Sequence, residues 1–219
     1  MIEKKIIEAK KQEFAVKEFV KKWIGKGKIS DIKIERTPVG EKIVVITSRP
    51  GMVIGQRGGT IQEMTDILKK KFKLENPQIE VSELMDPIFD AKTIADQIAM
   101  SLEKFGPLGF KLVAYKKLEQ ILRAGGLGAE IRLGGKLPGE KARSWRFAFG
   151  YVKKTGGGAS IANRAQAQAF TRPGVVGIKV TIVPKDARMP DKIIINQEAI
   201  AAELKDKIET EEKTAKIDK

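Results

Sequence analysis

Arg49-Pro50-Gly51-Met52-Val53-Ile54-Gly55-Gln56-Arg57-Gly58-Gly59-Thr60-Ile61 is the stretch on which the reading of this chain turns. Pro50-Gly51 opens a short apolar segment, Met52-Val53-Ile54, which runs straight into a Gly-x-x-Gly loop. Ile61, Met64, Ile67, Leu68 and Phe72 then recur at helical steps, and Lys69-Lys70-Lys71 put cations where a helix C-terminus favours them. Two glycines three apart let the chain turn sharply between helices and let a foreign backbone approach within van der Waals reach. The amides at the start of the following helix add partial positive charge suited to phosphate. Arg57 inside the loop and Arg49 just before it point the same way. A helix–helix turn that binds nothing has the same glycine spacing, so the flanks must decide.

Upstream, Ala15, Val16, Phe19, Val20, Trp23 and Ile24 recur every three or four residues and predict a helix over 6–24, stopped by Gly25 and Gly27. Ile29–Arg36 alternates and Lys42–Thr47 is nearly all apolar, with Pro38-Val39-Gly40 between them, which predicts a hairpin. Downstream, Asn76-Pro77 breaks the helix and Gln78–Ser82 reads as a third strand. The order helix, strand, strand, short helix, glycine loop, helix, strand resembles the type II KH domain. KH domains clamp the backbone of a short single-stranded stretch with such a loop, which implies RNA contact at Arg49, Gly55, Gln56, Arg57 and Gly58.

A second unit begins near Asp86-Pro87. Ile94, Ala95, Ile98, Ala99 and Leu102 predict one amphipathic helix, and Leu112, Val113, Leu118, Ile121 and Leu122 a second. Strands follow: Ala129, Ile131 and Leu133 alternate, Trp145, Phe147, Phe149 and Tyr151 put four aromatics on one face, and Ile178, Val180 and Ile182 mark the last. Ala165, Ala167 and Ala169 permit strand or helix over 161–171, and strand is preferred. The fold class is therefore α+β: a three-stranded KH domain over 1–85, a second α+β domain over 86–188 with two helices on a small, mainly antiparallel sheet, and a polar tail over 189–219. In that tail Ile200, Leu204 and Ile208 suggest a short docked helix, with disorder beyond Thr210.

Lys and Arg number 42 against 28 Asp and Glu, a net charge of +14 in 219 residues. Residues 1–84 carry 18 cations against 12 anions, residues 85–188 carry 18 against 8, and residues 189–219 carry 6 against 8. The excess belongs to the candidate folded domains, which excludes a simple basic tail and favours a polyanionic partner. Two clusters offer further contacts. One is the helix carrying Lys111, Lys116, Lys117 and Arg123, its basic residues mostly opposite Leu118, Ile121 and Leu122; an ordinary solvated face is the bland alternative. The other is Arg132, Lys136, Lys141, Arg143 and Arg146 around a Gly/Pro turn, where guanidinium groups suit bidentate phosphate contacts.

With neither Cys nor His in the chain, disulfides, thiolate nucleophiles, Cys/His zinc sites and His-based triads are all excluded. No metal site, cofactor or catalytic residue is expected. Gly125-Gly126-Leu127-Gly128 lacks the spacing of a dinucleotide loop, and Gly134-Gly135-Lys136 lacks the upstream glycine of a P-loop. No apolar run is long enough to span a membrane and no signal-peptide core is present, so a cytoplasmic protein is expected.

Three separated motifs carry a closer resemblance: Val53-Ile54-Gly55-Gln56-Arg57-Gly58, then Gly135–Ser144, then Gly174-Val175-Val176-Gly177-Ile178-Lys179-Val180. In that order they resemble small-subunit ribosomal protein number three over roughly residues 1–195. The first helix begins the chain directly, which sets the resemblance nearer the archaeal and eukaryotic branch. It implies a protein of the small-subunit head with small-subunit rRNA, mRNA at its channel of entrance and neighbouring head proteins as partners. Lys111 matches one position of the family helix that faces incoming mRNA, and Lys116 and Lys117 lie at or beside others, whereas Leu112 and Tyr115 stand where bacterial members carry bases. A free KH-type RNA-processing or chaperone factor is the alternative. A lyase acting on abasic DNA through a lysine Schiff base is the other, and no lysine in the sequence is marked as buried with a lowered pKa.

Overall fold

The structure, a computed structural model, describes residues 2–187 other than 38, 39, 73 and 75, together with Met189. The tail expectations at Ile200, Leu204, Ile208 and beyond Thr210 lie outside the described residues, as does Pro38-Val39 of the hairpin turn. Within one compact unit, Met1–Ala187, apolar side chains gather into two separate cores, each under its own sheet.

The first core is built by α1 (Ile2–Ile24), β1 (Asp31–Thr37), β2 (Gly40–Thr47), α2 (Pro50–Ile54), α3 (Gly59–Phe72) and β3 (Gln78–Glu83). Strand β2 is central, antiparallel to β1 and parallel to β3, and the parallel step is bridged by α2 and α3. Val16, Val20 and Ile24 stack at four-residue spacing on one side of α1 and meet Ile32, Ile43, Val45, Met64 and Leu68. Helix α1 starts four residues earlier than its periodicity predicts, and Ile2 in the added turn is exposed, as are Ile6 and Ile7 just after it. Trp23, placed on the apolar face by spacing, is 42% exposed and leans on Phe19 at 5.9 Å.

The second core lies between α4 (Ala91–Phe105), α5 (Phe110–Arg123) and a four-stranded antiparallel sheet ordered β5-β4-β7-β6. Its strands are β4 (Gly128–Gly135), β5 (Arg143–Gly150), β6 (Asn163–Thr171) and β7 (Gly174–Val183). Asp90 caps α4 by accepting the Lys92 and Thr93 amides, and Gly106, with φ of 79°, ends it. Ala129, Ile131 and Leu133 of β4 and Ile178, Val180 and Ile182 of β7 face the helices, so alternate residues face the other way. The 161–171 ambiguity resolves as strand because β6 pairs with β7 along its whole length, turning Ala165, Ala167 and Ala169 inward.

Two sequence expectations are corrected here. Tyr151 is not on the aromatic strand: Gly150, at φ of 63°, ends β5, and only Trp145, Phe147 and Phe149 pack against the core. Leu112 and Leu122 are 74% and 56% exposed, because α5 buries a narrower stripe, Phe110, Ala114, Leu118 and Ile121. Removing a leucine from the stripe therefore costs packing, whereas Leu112 and Leu122 carry much less.

Candidate nucleic-acid interface

Arg49 precedes α2, and Pro50 sits at its first turn, where a missing amide costs nothing. Gly55 ends that helix at φ of 75° and donates its amide to Gly51 O at 3.1 Å. A Cβ at Gly55 would overlap the hydroxyl of Thr60, so this glycine is needed by packing inside the loop. Gly58 is different. Its φ is 77°, yet a Cβ there would meet nothing within 4 Å, so the space above it is open to an incoming backbone. Arg57 also adopts a left-handed backbone, φ 52° and ψ 27°, a conformation that costs a non-glycine residue roughly 1 kcal/mol.

Helix α3 starts at Gly59, immediately after the loop, with no acidic residue in its first turn. The positive end of its dipole is therefore left uncompensated beside Arg57. Gln56, Arg57 and Arg49 are all exposed, and neither arginine forms an ion pair among the described residues. The five predicted loop positions thus combine a packed glycine, an open glycine and two exposed guanidinium groups beside the start of a helix.

The basic residues of α5 do not form a single face. Lys116 is exposed and unpaired among the described residues, whereas Arg123 bonds Glu119 at 2.5 Å. Lys111 lies over Trp145, 4.6 Å from the ring centroid, a cation–π contact that fixes its stem. Lys117 departs from expectation: it is half-buried against α4 and donates to Gln97 Oε1 at 2.7 Å and Gln120 Oε1 at 3.1 Å. Burial, and then the neighbouring Lys116 charge, hold its amine below the usual lysine range. A lysine of lowered pKa is thus present, but its donors are engaged by amide oxygens.

The third cluster divides as well. Lys136, Lys141 and Arg143 are exposed and free of ion pairs among the described residues, on a turn pinned by buried Leu137. Arg132 and Arg146 instead converge with Lys154 on the carboxylate of Glu130, each at 3.0 Å. Glu130 is buried, which pushes its pKa up, but hydrogen bonds from Arg146 and Lys154 outweigh that and leave it below the usual glutamate value. Glu130, Arg164 and Lys179 belong to none of the clusters that the sequence marks. Lys179 could have been found from the alternation of β7, since it stands between inward Ile178 and Val180.

Among the described residues no acidic cluster could hold a metal ion, and no helix is long and apolar enough to cross a membrane.

The model of the KH domain family matches residues 15–86, the part that carries the glycine loop. The model described as ribosomal protein S3, C-terminal domain, matches residues 98–182, from within α4 almost to the end of β7. Small ribosomal subunit protein uS3 of Methanocaldococcus jannaschii is 37% identical over 213 residues, 97% of this chain and 100% of that protein. Its namesake in Methanococcus vannielii is 36% identical over 196 residues, 89% of this chain and 92% of that protein. That of Methanothermobacter thermautotrophicus is 36% identical over 193 residues, 88% of this chain and 74% of that protein. With a KH loop in its first core, the S3-type sheet in its second, and these archaeal relatives spanning both, the chain belongs to the uS3 family of small ribosomal subunit proteins.

Proposed function

We propose that this chain is a structural protein of the small ribosomal subunit in the cytoplasm of an archaeon, bound to small-subunit rRNA and to neighbouring head proteins. The observation that carries this reading is the loop: open Gly58, exposed Arg49 and Arg57, and the uncompensated N-terminus of α3, all within one short stretch of chain. A backbone phosphate fits there by charge and by clearance. The free cations Lys116, Lys136, Lys141 and Arg143 supply further phosphate contacts, and Lys111 and Lys116 are the residues best placed to meet mRNA where it enters. Lys117 and Arg123, already engaged, support that helix rather than bind through it. No catalytic step is assigned.

Sedimentation of a cell lysate through a sucrose gradient tests the reading. The chain should travel with small subunits, and chemical footprinting should show rRNA nucleotides in the head protected by it. A chain that stays at the top of the gradient would instead be a free KH-type factor. Lys117 gives the lyase reading its one specific observation, the lowered amine pKa. Borohydride trapping on abasic DNA is expected to give no covalent adduct, because a Schiff base would require Lys117 to leave both glutamine oxygens.

A further inference from the structure

The sheet of the second domain has a face turned away from α4 and α5, and its register brings cations together. Arg146 of β5 lies directly opposite Arg132 of β4, Arg132 opposite Lys179 of β7, and Lys179 opposite Gln166 of β6. At ordinary strand spacing this row is about 14 Å across. Like charges placed directly opposite one another are destabilising, so the row is not explained by stability. Glu130 partly offsets it by holding Arg132, Arg146 and Lys154, but Lys179 and Arg164 have no carboxylate partner among the described residues. Of these, Arg132, Lys154, Arg164 and Lys179 line, with Glu130, an open depression of about 390 Å³, with Thr181 and Gln166 as neutral hydrogen-bonding groups and no aromatic ring in its lining.

We infer that this face binds the sugar–phosphate backbone of double-stranded RNA. The inference rests on the RNA-binding reading above and adds a second, separate mode to it. Single strands are gripped by stacking bases on aromatic rings or by a backbone clamp such as the glycine loop, and this depression is lined by neither. Duplex RNA is held through phosphates and 2′-hydroxyls, which match a row of cations flanked by an amide and a hydroxyl. Glu130 serves as a positioning residue: it orders Arg132, Arg146 and Lys154 before RNA arrives and leaves the patch strongly positive. The glycine loop takes single-stranded backbone, and the sheet takes duplex.

Fluorescence anisotropy on the full chain tests this with a blunt RNA duplex and an unstructured pyrimidine-rich single strand. Arg164→Gln with Lys179→Gln removes two exposed cations that make no ion pair, so the melting temperature should hold. Duplex affinity should fall about tenfold at low salt, the salt slope should drop by about two units, and single-strand affinity should stay within about twofold. The loop variant Gln56→Asp with Arg57→Asp should do the reverse. Unchanged duplex binding by the sheet variant, or equal losses on both RNAs, would overturn the inference while leaving the RNA-binding reading intact. If the unmodified chain binds neither RNA, that reading fails first and this one with it.

Discussion

Lys26 Nζ lies 3.1 Å from Glu103 Oε1, tying the loop after α1 to the end of α4 and so one core to the other. The clasp is wider than one ion pair. Lys26 also sits over Phe170 at 4.6 Å, and the Gly27 amide donates to Asp96 Oδ2 at 3.3 Å. Burial pushes the Glu103 pKa up, but the Phe170 amide and Lys26 together hold it below the usual glutamate value.

Each core is complete without the clasp, because the first draws only on residues from Val16 to Val81. We therefore place the seam between the two domains near residues 84–90. A fragment of residues 1–84 is expected to fold with native-like helix content by circular dichroism. A fully unfolded fragment would refute this boundary.

The two loop glycines should respond differently to alanine. Gly58→Ala meets no neighbour and should cost only its left-handed backbone, about 1–2 kcal/mol. Gly55→Ala adds an overlap with Thr60 and should lower the melting midpoint further in the same thermal scan. Equal losses would show that Gly55 is not held by packing.

Glu130 makes stability depend on acidity. Its folded pKa is lowered, so its contribution is fully present above the unfolded glutamate value and is lost as pH falls through the folded one. Glu130→Gln should cost roughly 1–2 kcal/mol at neutral pH, modest because its three partners are each about half exposed and can return to water. Denaturant midpoints of the two proteins should converge once the pH is below the folded value. A gap that persists in acid would assign the loss to packing.

Much of this molecule was legible as periodicity. Val16, Val20 and Ile24 announce α1, the alternation through Ile131 and Ile178 announces β4 and β7, and the glycine loop announces the KH half before any contact is known. What periodicity cannot supply is neighbourhood. Arg132 and Lys179 are 47 residues apart and become adjacent only through the β4–β7 register, so the outer row was invisible to a reading made strand by strand. Lys117 was misplaced for a related reason: its partner Gln97 stands on another helix, which its own spacing does not show. Leu112 and Leu122 failed in the opposite sense, since a helix of good apolar content can bury a narrower stripe than its composition suggests.

The sharpest prediction concerns Gln56→Asp with Arg57→Asp. Both side chains are exposed, so neither substitution opens a cavity. Position 57 is left-handed, and Asp enters that region more readily than most residues, so the backbone should accept it. The fold is expected to keep its melting temperature within a few degrees. The electrostatics reverse, however. Two carboxylates would stand where the end of α3 and a free guanidinium now attract phosphate, a shift of −3 in charge at the contact. Affinity for a single-stranded RNA should fall tenfold or more at low salt, and the gap should narrow as salt screens the repulsion. Incorporation into small subunits should suffer less, because Lys136, Lys141, Arg143 and the outer face of the second sheet remain. The measurement is paired, melting for the fold and anisotropy for the RNA. Unchanged melting with unchanged affinity would reduce the loop to a turn between helices and remove the observation on which the proposed function stands.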